Sequence, residues 1–152
     1  MPPVKIAIFE DEFILANDLK RQIERFDYEV IAIFRKAEDG LKVFKEARQP
    51  EDLPEIVLMD ISLAGKMNGI EAAQIMVAEY NVALVFLTGM SQMDLFDSVF
   101  REKPHAILTK PYDIQQALVS IRLALYQKTL ENELLKCRKE LEKKSFHQAE
   151  MH

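Results

Sequence analysis

Only one cysteine, Cys137, occurs in the 152 residues. No internal disulfide can form, which suits a reducing compartment. There is no excess of positive charge: 20 Lys and Arg stand against 25 Asp and Glu, a formal net charge of −5. That balance exerts no general pull toward nucleic acid or anionic lipid, so direct binding to either is not expected. Long hydrophobic runs are lacking as well. The longest, around Val82 to Leu87, falls far short of the ~20 residues of a membrane-crossing helix. The opening MPPVKIAIFEDE has no basic stretch followed by an apolar one, so it does not read as a secretory signal. These absences together predict a cytoplasmic chain without membrane contact. No internal repeat or low-complexity tract interrupts it. His105, His147 and His152 share no ligand spacing, which argues against a zinc-type cluster. His105 reads as a surface residue ahead of the last strand.

What is present is an ordinary globular balance, 49% hydrophobic and 30% charged. Five short apolar runs recur: Val4–Phe9, Val30–Phe34, Ile56–Met59, Val82–Leu87 and Ala106–Leu108. They do not alternate with polar residues, as expected of strands buried on both faces of a parallel sheet. Between them lie stretches with helical spacing. Leu15, Leu19, Ile23 and Phe26 form one set, Ile70, Ala73, Val77 and Tyr80 a second, and Met93, Phe96 and Phe100 a third. Asn68 with Glu71, Ser91 with Asp94, and Asp113 with Gln116 have the spacing of helix-capping pairs. Alternation of strand and helix predicts an α/β domain, a doubly wound parallel sheet covered on both sides.

The last part lacks both glycine and proline from Asp113 to about Lys144, so one helix can run through Ile114, Leu118, Ile121 and Leu125 and onward. After Tyr126 the apolar positions narrow to Leu130, Leu134, Cys137 and Leu141, a two-position seam of about two heptads. We expect a domain over 1–126 and a helical extension, a short coiled coil or linker, over 127–152, with a frayed tail at SFHQAEMH. Cys137 reads as a small apolar filler of the seam.

Ligands of open parallel sheets sit beyond the carboxyl ends of the strands. The first run ends in Glu10-Asp11-Glu12, the third in Asp60, the fourth in Thr88-Gly89 and the fifth in Thr109-Lys110-Pro111. Acids, a hydroxyl and a lysine therefore meet on one edge. Close carboxylates repel, and a hard divalent cation such as Mg2+ relieves that repulsion. A carboxylate beside such a cation can attack phosphorus, with lysine and hydroxyl stabilising the transferred group.

The set IFEDE, LMDISL, FLTG and LTKPY resembles the receiver domain of two-component response regulators, over roughly residues 4 to 126. The resemblance implies a flavodoxin-like (βα)5 fold with strand order 2-1-3-4-5 and an extended C-terminal helix. It implies Asp60 as phosphoacceptor and part of the Mg2+ site, with Asp11 as a direct Mg2+ ligand, Glu10 as an indirect one and the Ser62 carbonyl as a further ligand. Thr88 and Lys110 would hold the phosphoryl oxygens, and Lys110–Pro111 would be cis. The donor would be a phosphohistidine on a sensor histidine kinase or phosphotransfer protein. Output would pass through partner contacts, or through a homodimer formed by the C-terminal helix or by the face of the fourth helix, fifth strand and fifth helix. Such a protein catalyses its own phosphorylation without being a multiple-turnover enzyme. Three departures stand out. The loop ISLAGKMNG has Ala64 where the family often has proline, and it is one residue longer. Ile107 replaces the usual switch aromatic. Met90, two residues after Thr88, is placed to crowd an attacking water and slow autodephosphorylation. The alternatives are an aspartate-nucleophile phosphatase, which lacks a second acid where Ser62 stands, a flavin-binding module, which lacks a phosphate-cradling loop after the first strand, and a degenerate receiver used only for docking.

Overall fold

The computed structural model describes residues 2–89 and 96–151. Five parallel strands form one sheet in the order β2-β1-β3-β4-β5. They are β1 (Val4–Phe9), β2 (Tyr28–Phe34), β3 (Ile56–Asp60), β4 (Ala83–Gly89) and β5 (Ala106–Lys110). The helices are α1 (Phe13–Ile23), α2 (Ala37–Glu46), α3 (Gly69–Glu79), α4 (Phe96–Arg101) and α5 (Ile114–Glu150). This is the expected flavodoxin-like receiver fold with a long C-terminal helix.

Strands without alternation are covered on both faces, and here both covers are present. On one side Ile6, Ile8, Leu58 and Val85 pack against Ala16 and Leu19 of α1 and Ala117 and Ile121 of α5. On the other, Phe9, Met59, Leu84 and Phe86 pack against Phe44 of α2, Ala73 and Met76 of α3 and Val99 of α4. Every residue of β3, the central strand, is buried. The strands extend one to two residues beyond several of the apolar runs, because the polar residues that end β3, β4 and β5 still pair: Asp60 with Leu87, Thr88 with Thr109 and Gly89 with Lys110. Ladder hydrogen bonds thereby fix the height of the polar edge.

Helix starts follow the capping signals. The Asn68 side chain accepts from the Glu71 N–H at 2.9 Å, and Asp113 and Gln116 form a reciprocal capping box. The Ser91–Asp94 pair lies outside the described residues. Helix faces deviate from the expected spacing in three places. α1 ends at Ile23, and Phe26 sits in the following turn, 48% exposed. α3 buries Ala72, Ala73 and Met76, and Val77 points outward; small alanines let the helix lie close to the sheet, which rotates the contact stripe by one residue. α4 buries Val99 rather than Phe100.

Two further expectations are corrected. The tail continues the helix to Glu150, since nothing in Ser145–Glu150 breaks a helix already nucleated. His105 is not a surface residue: its side chain is 6% exposed. Its Nδ1 accepts the Leu84 N–H at 2.9 Å, its own N–H donates to the Leu84 carbonyl at 2.8 Å, and Nε2 meets Glu131 of α5 at 3.0 Å. The ring thus satisfies polar groups where α5 leaves the sheet.

Candidate functional site: an acidic pocket closed by a lysine

The pocket lies at the carboxyl edge of β1, β3 and β5. The Glu10 N–H donates to the Phe34 carbonyl at 2.9 Å, carrying the β1 ladder one residue past the strand and holding Glu10 at 1% exposure. Asp60 ends β3 and is 5% exposed. Behind it, Gly69 donates its N–H to the Ile61 carbonyl at 3.2 Å, and a Cβ there would collide with the Asp60 carbonyl. Glycine is therefore required for α3 to start this close to β3.

Carboxylate oxygens of Glu10, Asp11 and Asp60 lie within 4.8 Å of one another. Lys110 closes the group, its Nζ 2.5 Å from Glu10 Oε1 and 2.8 Å from Asp60 Oδ2. The other Asp60 oxygen, Oδ1, accepts the Ser62 N–H at 2.8 Å. Thr88, the next-to-last residue of β4 on the strand next to β3, is also buried, and the Lys110–Pro111 peptide is cis. Burial and the hydrogen bond with Asp60 push the Glu10 carboxyl up to about 7, against the opposing pull of Lys110. For Lys110, burial would lower the pKa, but the hydrogen bonds to Asp60 and Glu10 outweigh it and raise the group above its usual range. Burial raises the neighbouring Tyr112 hydroxyl to about 12. Glu10, Asp11, Asp60, the lysine and the threonine singled out from sequence thus reach one edge, while Glu12 stands exposed at the start of α1. Ser62 contributes its backbone there, with its side chain exposed. Ile107 is half-buried in β5 against the α3 and α4 side of the core. Met90 lies outside the described residues.

Sequence reasoning missed Glu38, at the start of α2. Its Oε1 accepts the Met67 N–H at 2.7 Å, and its Oε2 is buried against Gly65, which has φ +96°. A bridge between Lys36 and Ala64 runs alongside. The Glu38 and Met67 peptide N–H groups hold its carboxyl below the usual carboxylate range. Glu38 therefore pins the loop between Asp60 and α3, the loop whose extra residue was the visible signal. No spacing rule links an acid on α2 to a loop almost thirty residues on.

Comparison with known proteins decides the family. The response regulator receiver domain model matches residues 6–122. The chain belongs to that family. It is 27% identical over 122 residues to the phyllosphere-induced regulator PhyR of Methylorubrum extorquens, covering 80% of this chain and 43% of PhyR. It is 29% identical over 123 residues to the transcriptional regulatory protein PdtaR of Mycobacterium tuberculosis, covering 81% of this chain and 57% of PdtaR. The chain thus spans about half the length of these curated relatives. Among solved structures, the signal receiver domain of a modulated diguanylate cyclase from Desulfovibrio desulfuricans superimposes with a TM-score of 0.75 at 29% identity, covering 85% of this chain and 98% of that one. Receiver domains bind Mg2+ at an acidic pocket, and the Glu10–Asp11–Asp60 cluster is a donor set of that kind, hard oxygens within reach of one ion. Among the described residues no helix is long and apolar enough to cross a membrane.

Proposed function

We propose that this receiver accepts a phosphoryl group on Asp60 from a phosphohistidine of a sensor histidine kinase or phosphotransfer protein. One observation carries the reading: a buried aspartate at the end of the central strand shares a lysine with Glu10 and lies within shared-cation reach of Glu10 and Asp11. In the transfer an Asp60 carboxylate oxygen attacks phosphorus, the P–N bond to the donor imidazole breaks, and the leaving nitrogen keeps the electron pair. Glu10, Asp11, Asp60 and the Ser62 carbonyl are the groups that would hold Mg2+, which supplies charge neutralisation to the equatorial oxygens. Lys110 is already hydrogen-bonded to Asp60 and lies ready to pair with the phosphoryl group. Thr88 supplies a hydroxyl donor from the adjacent strand.

Exposed Phe13 and Ile14, 66% and 85% accessible at the start of α1, give a helical donor an apolar footing beside the pocket. Residues 1–126 are read as the phosphoacceptor unit and 127–152 as its output extension. The output is a change in contacts of the α4, β5 and α5 face and in pairing between copies of the chain. Incubation with acetyl phosphate and Mg2+, followed by intact mass, tests the assignment. A phosphoryl adduct is expected in the parent chain and not in Asp60→Asn. No adduct, or an unchanged adduct in Asp60→Asn, overturns it.

A further inference from the structure

Only the first third of α5, the longest element, rests on the sheet. Its buried residues are Ala117, Ser120, Ile121 and Ala124. On the opposite side of the same helix, apolar side chains stand in the open. Val119, Leu123 and Tyr126 do so over the domain, and Leu130, Leu134 and Leu141 on the overhang, with exposures from 43% at Leu130 to 64% at Leu141. Cys137 is exposed between the last two. From 119 to 141 the steps are 4, 3, 4, 4, 3 and 4, so the spacing repeats after eleven residues: Val119 with Leu130 and Leu141, Leu123 with Leu134, Tyr126 with Cys137. Eleven residues in three turns is ~3.67 per turn, close to the straight helix, so the stripe stays on one side for its whole ~33 Å. The tail seam and the outer face of α5 over the domain are one continuous surface.

We propose that this stripe is the pairing surface for a second copy of the chain, with two α5 helices parallel and in register, back to back, and the receiver domains outside. Val119 and Tyr126 point away from the buried face, and Leu123 lies at the stripe's margin, one residue from buried Ala124. Val119 is two residues from both Ala117 and Ile121, about 200° around the helix. The stripe thus faces mainly away from the sheet, with Val119 bordering β5 at Ile107–Thr109. The flanking charges favour the parallel direction. In a parallel pair Glu133 of each copy faces Arg138 of the other, while Arg122 meets Gln127 and Glu140 meets Ser145. An antiparallel pair centred on Cys137 sets Glu133 against Glu140. The overhang also needs a partner, because every residue from 129 to 151 is exposed and solitary helices gain little stability without packing. On the sheet side of α5, Glu131 is held by His105 at 3.0 Å and by Lys128 at 3.6 Å, which fixes the stripe's direction relative to the domain.

The pairing does not depend on phosphorylation; only its role as output rests on the phosphoacceptor reading. The test uses the full chain with no phosphodonor. Sedimentation velocity under reducing conditions, up to about 100 µM, is expected to show a dimer in the parent and in Cys137→Ser. A double variant, Leu130→Lys with Leu134→Glu, is expected to be monomeric with unchanged receiver-domain melting. Copper-catalysed air oxidation is expected to link the parent chains through Cys137 and to leave Cys137→Ser unlinked. A monomer at the highest concentration, or a dimer that survives the double variant, overturns the pairing and leaves the stripe to another protein's helix. A dimer that does not cross-link overturns the parallel register. A chain phosphorylated on Asp60 yet monomeric sinks the pairing alone; one dimeric yet never phosphorylated sinks the phosphoacceptor reading alone.

Discussion

Lowering the pH from about 8 to about 6 should weaken Mg2+ binding to the acidic pocket about tenfold, and Glu10 is the cause. Its carboxyl is 1% exposed, its proton is retained by burial and by the neighbouring Asp60, and its pKa is raised from 4.5 to about 7. A cation entering the pocket displaces that proton, so affinity falls roughly tenfold per pH unit once the pH is below about 7. Stability without the cation follows the same group. The folded state keeps a proton that the unfolded chain releases near 4.5. Glu10's contribution is therefore fully present below 4.5 and is lost as pH rises through about 7, at a cost of about 3 kcal/mol. Thermal melts with and without MgCl2 across this range, together with calorimetric titrations at both ends, measure both effects. The melting temperature without Mg2+ should decline from pH 5 to pH 8, and saturating Mg2+ should offset the decline. In Glu10→Gln both pH dependences should flatten. Equal Mg2+ affinity at pH 6 and pH 8, or an unaltered slope in Glu10→Gln, would refute the reasoning.

Lys110→Met strips the pocket of its counter-charge while Glu10 and Asp60 stay buried, so urea unfolding at pH 8 should show a loss of about 3–5 kcal/mol; an unchanged midpoint would mean the pair is solvated. Glu38→Ala should speed hydrogen exchange at the Met67 amide and weaken Mg2+ binding, with Glu38→Gln closer to the parent; protected exchange in the alanine variant would remove Glu38 from the loop's support. Ile14→Lys should slow transfer from a histidine-phosphorylated donor while leaving phosphorylation by acetyl phosphate unaltered, and equal slowing of both would point to pocket damage instead. Met90→Glu should accelerate loss of the acyl phosphate, measured after donor removal; an unchanged or slower rate would count against crowding by the methionine.

Much of the site could be read from the chain because two periodicities reinforce each other. Runs such as Ile56–Asp60 are apolar at every position until the last, and in a parallel sheet the last position is the edge where ligands bind. Asp60, Thr88 and Lys110 stand at or just past the ends of their apolar runs, and the ladder pairs Asp60–Leu87, Thr88–Thr109 and Gly89–Lys110 put all three at the carboxyl edge of the sheet. Features that depend on which side chain fills a gap were not legible. The shift of the α3 contact from Val77 to Met76 follows from the alanines at 72 and 73 lying close to the sheet. Glu38 and His105 act through backbone groups of distant segments, Met67 and Leu84, and backbone partners leave no mark on residue spacing. The length of α5 was underestimated for a related reason: Ser145–Glu150 carries no apolar periodicity, but helix propagation needs only the absence of a breaker.

His105 Nδ1 accepts the Leu84 peptide hydrogen, and Nε2 faces Glu131 at 3.0 Å. The ring grips the sheet with one nitrogen and the departing helix with the other, at the rim opposite the acidic pocket. From Glu131 to Glu150 the rod is ~29 Å long, so a tilt of about 5° at this fulcrum swings its tip by ~2.5 Å. Any rearrangement that nudges the β4–β5 edge is thereby geared up into a displacement at the far end of the lever.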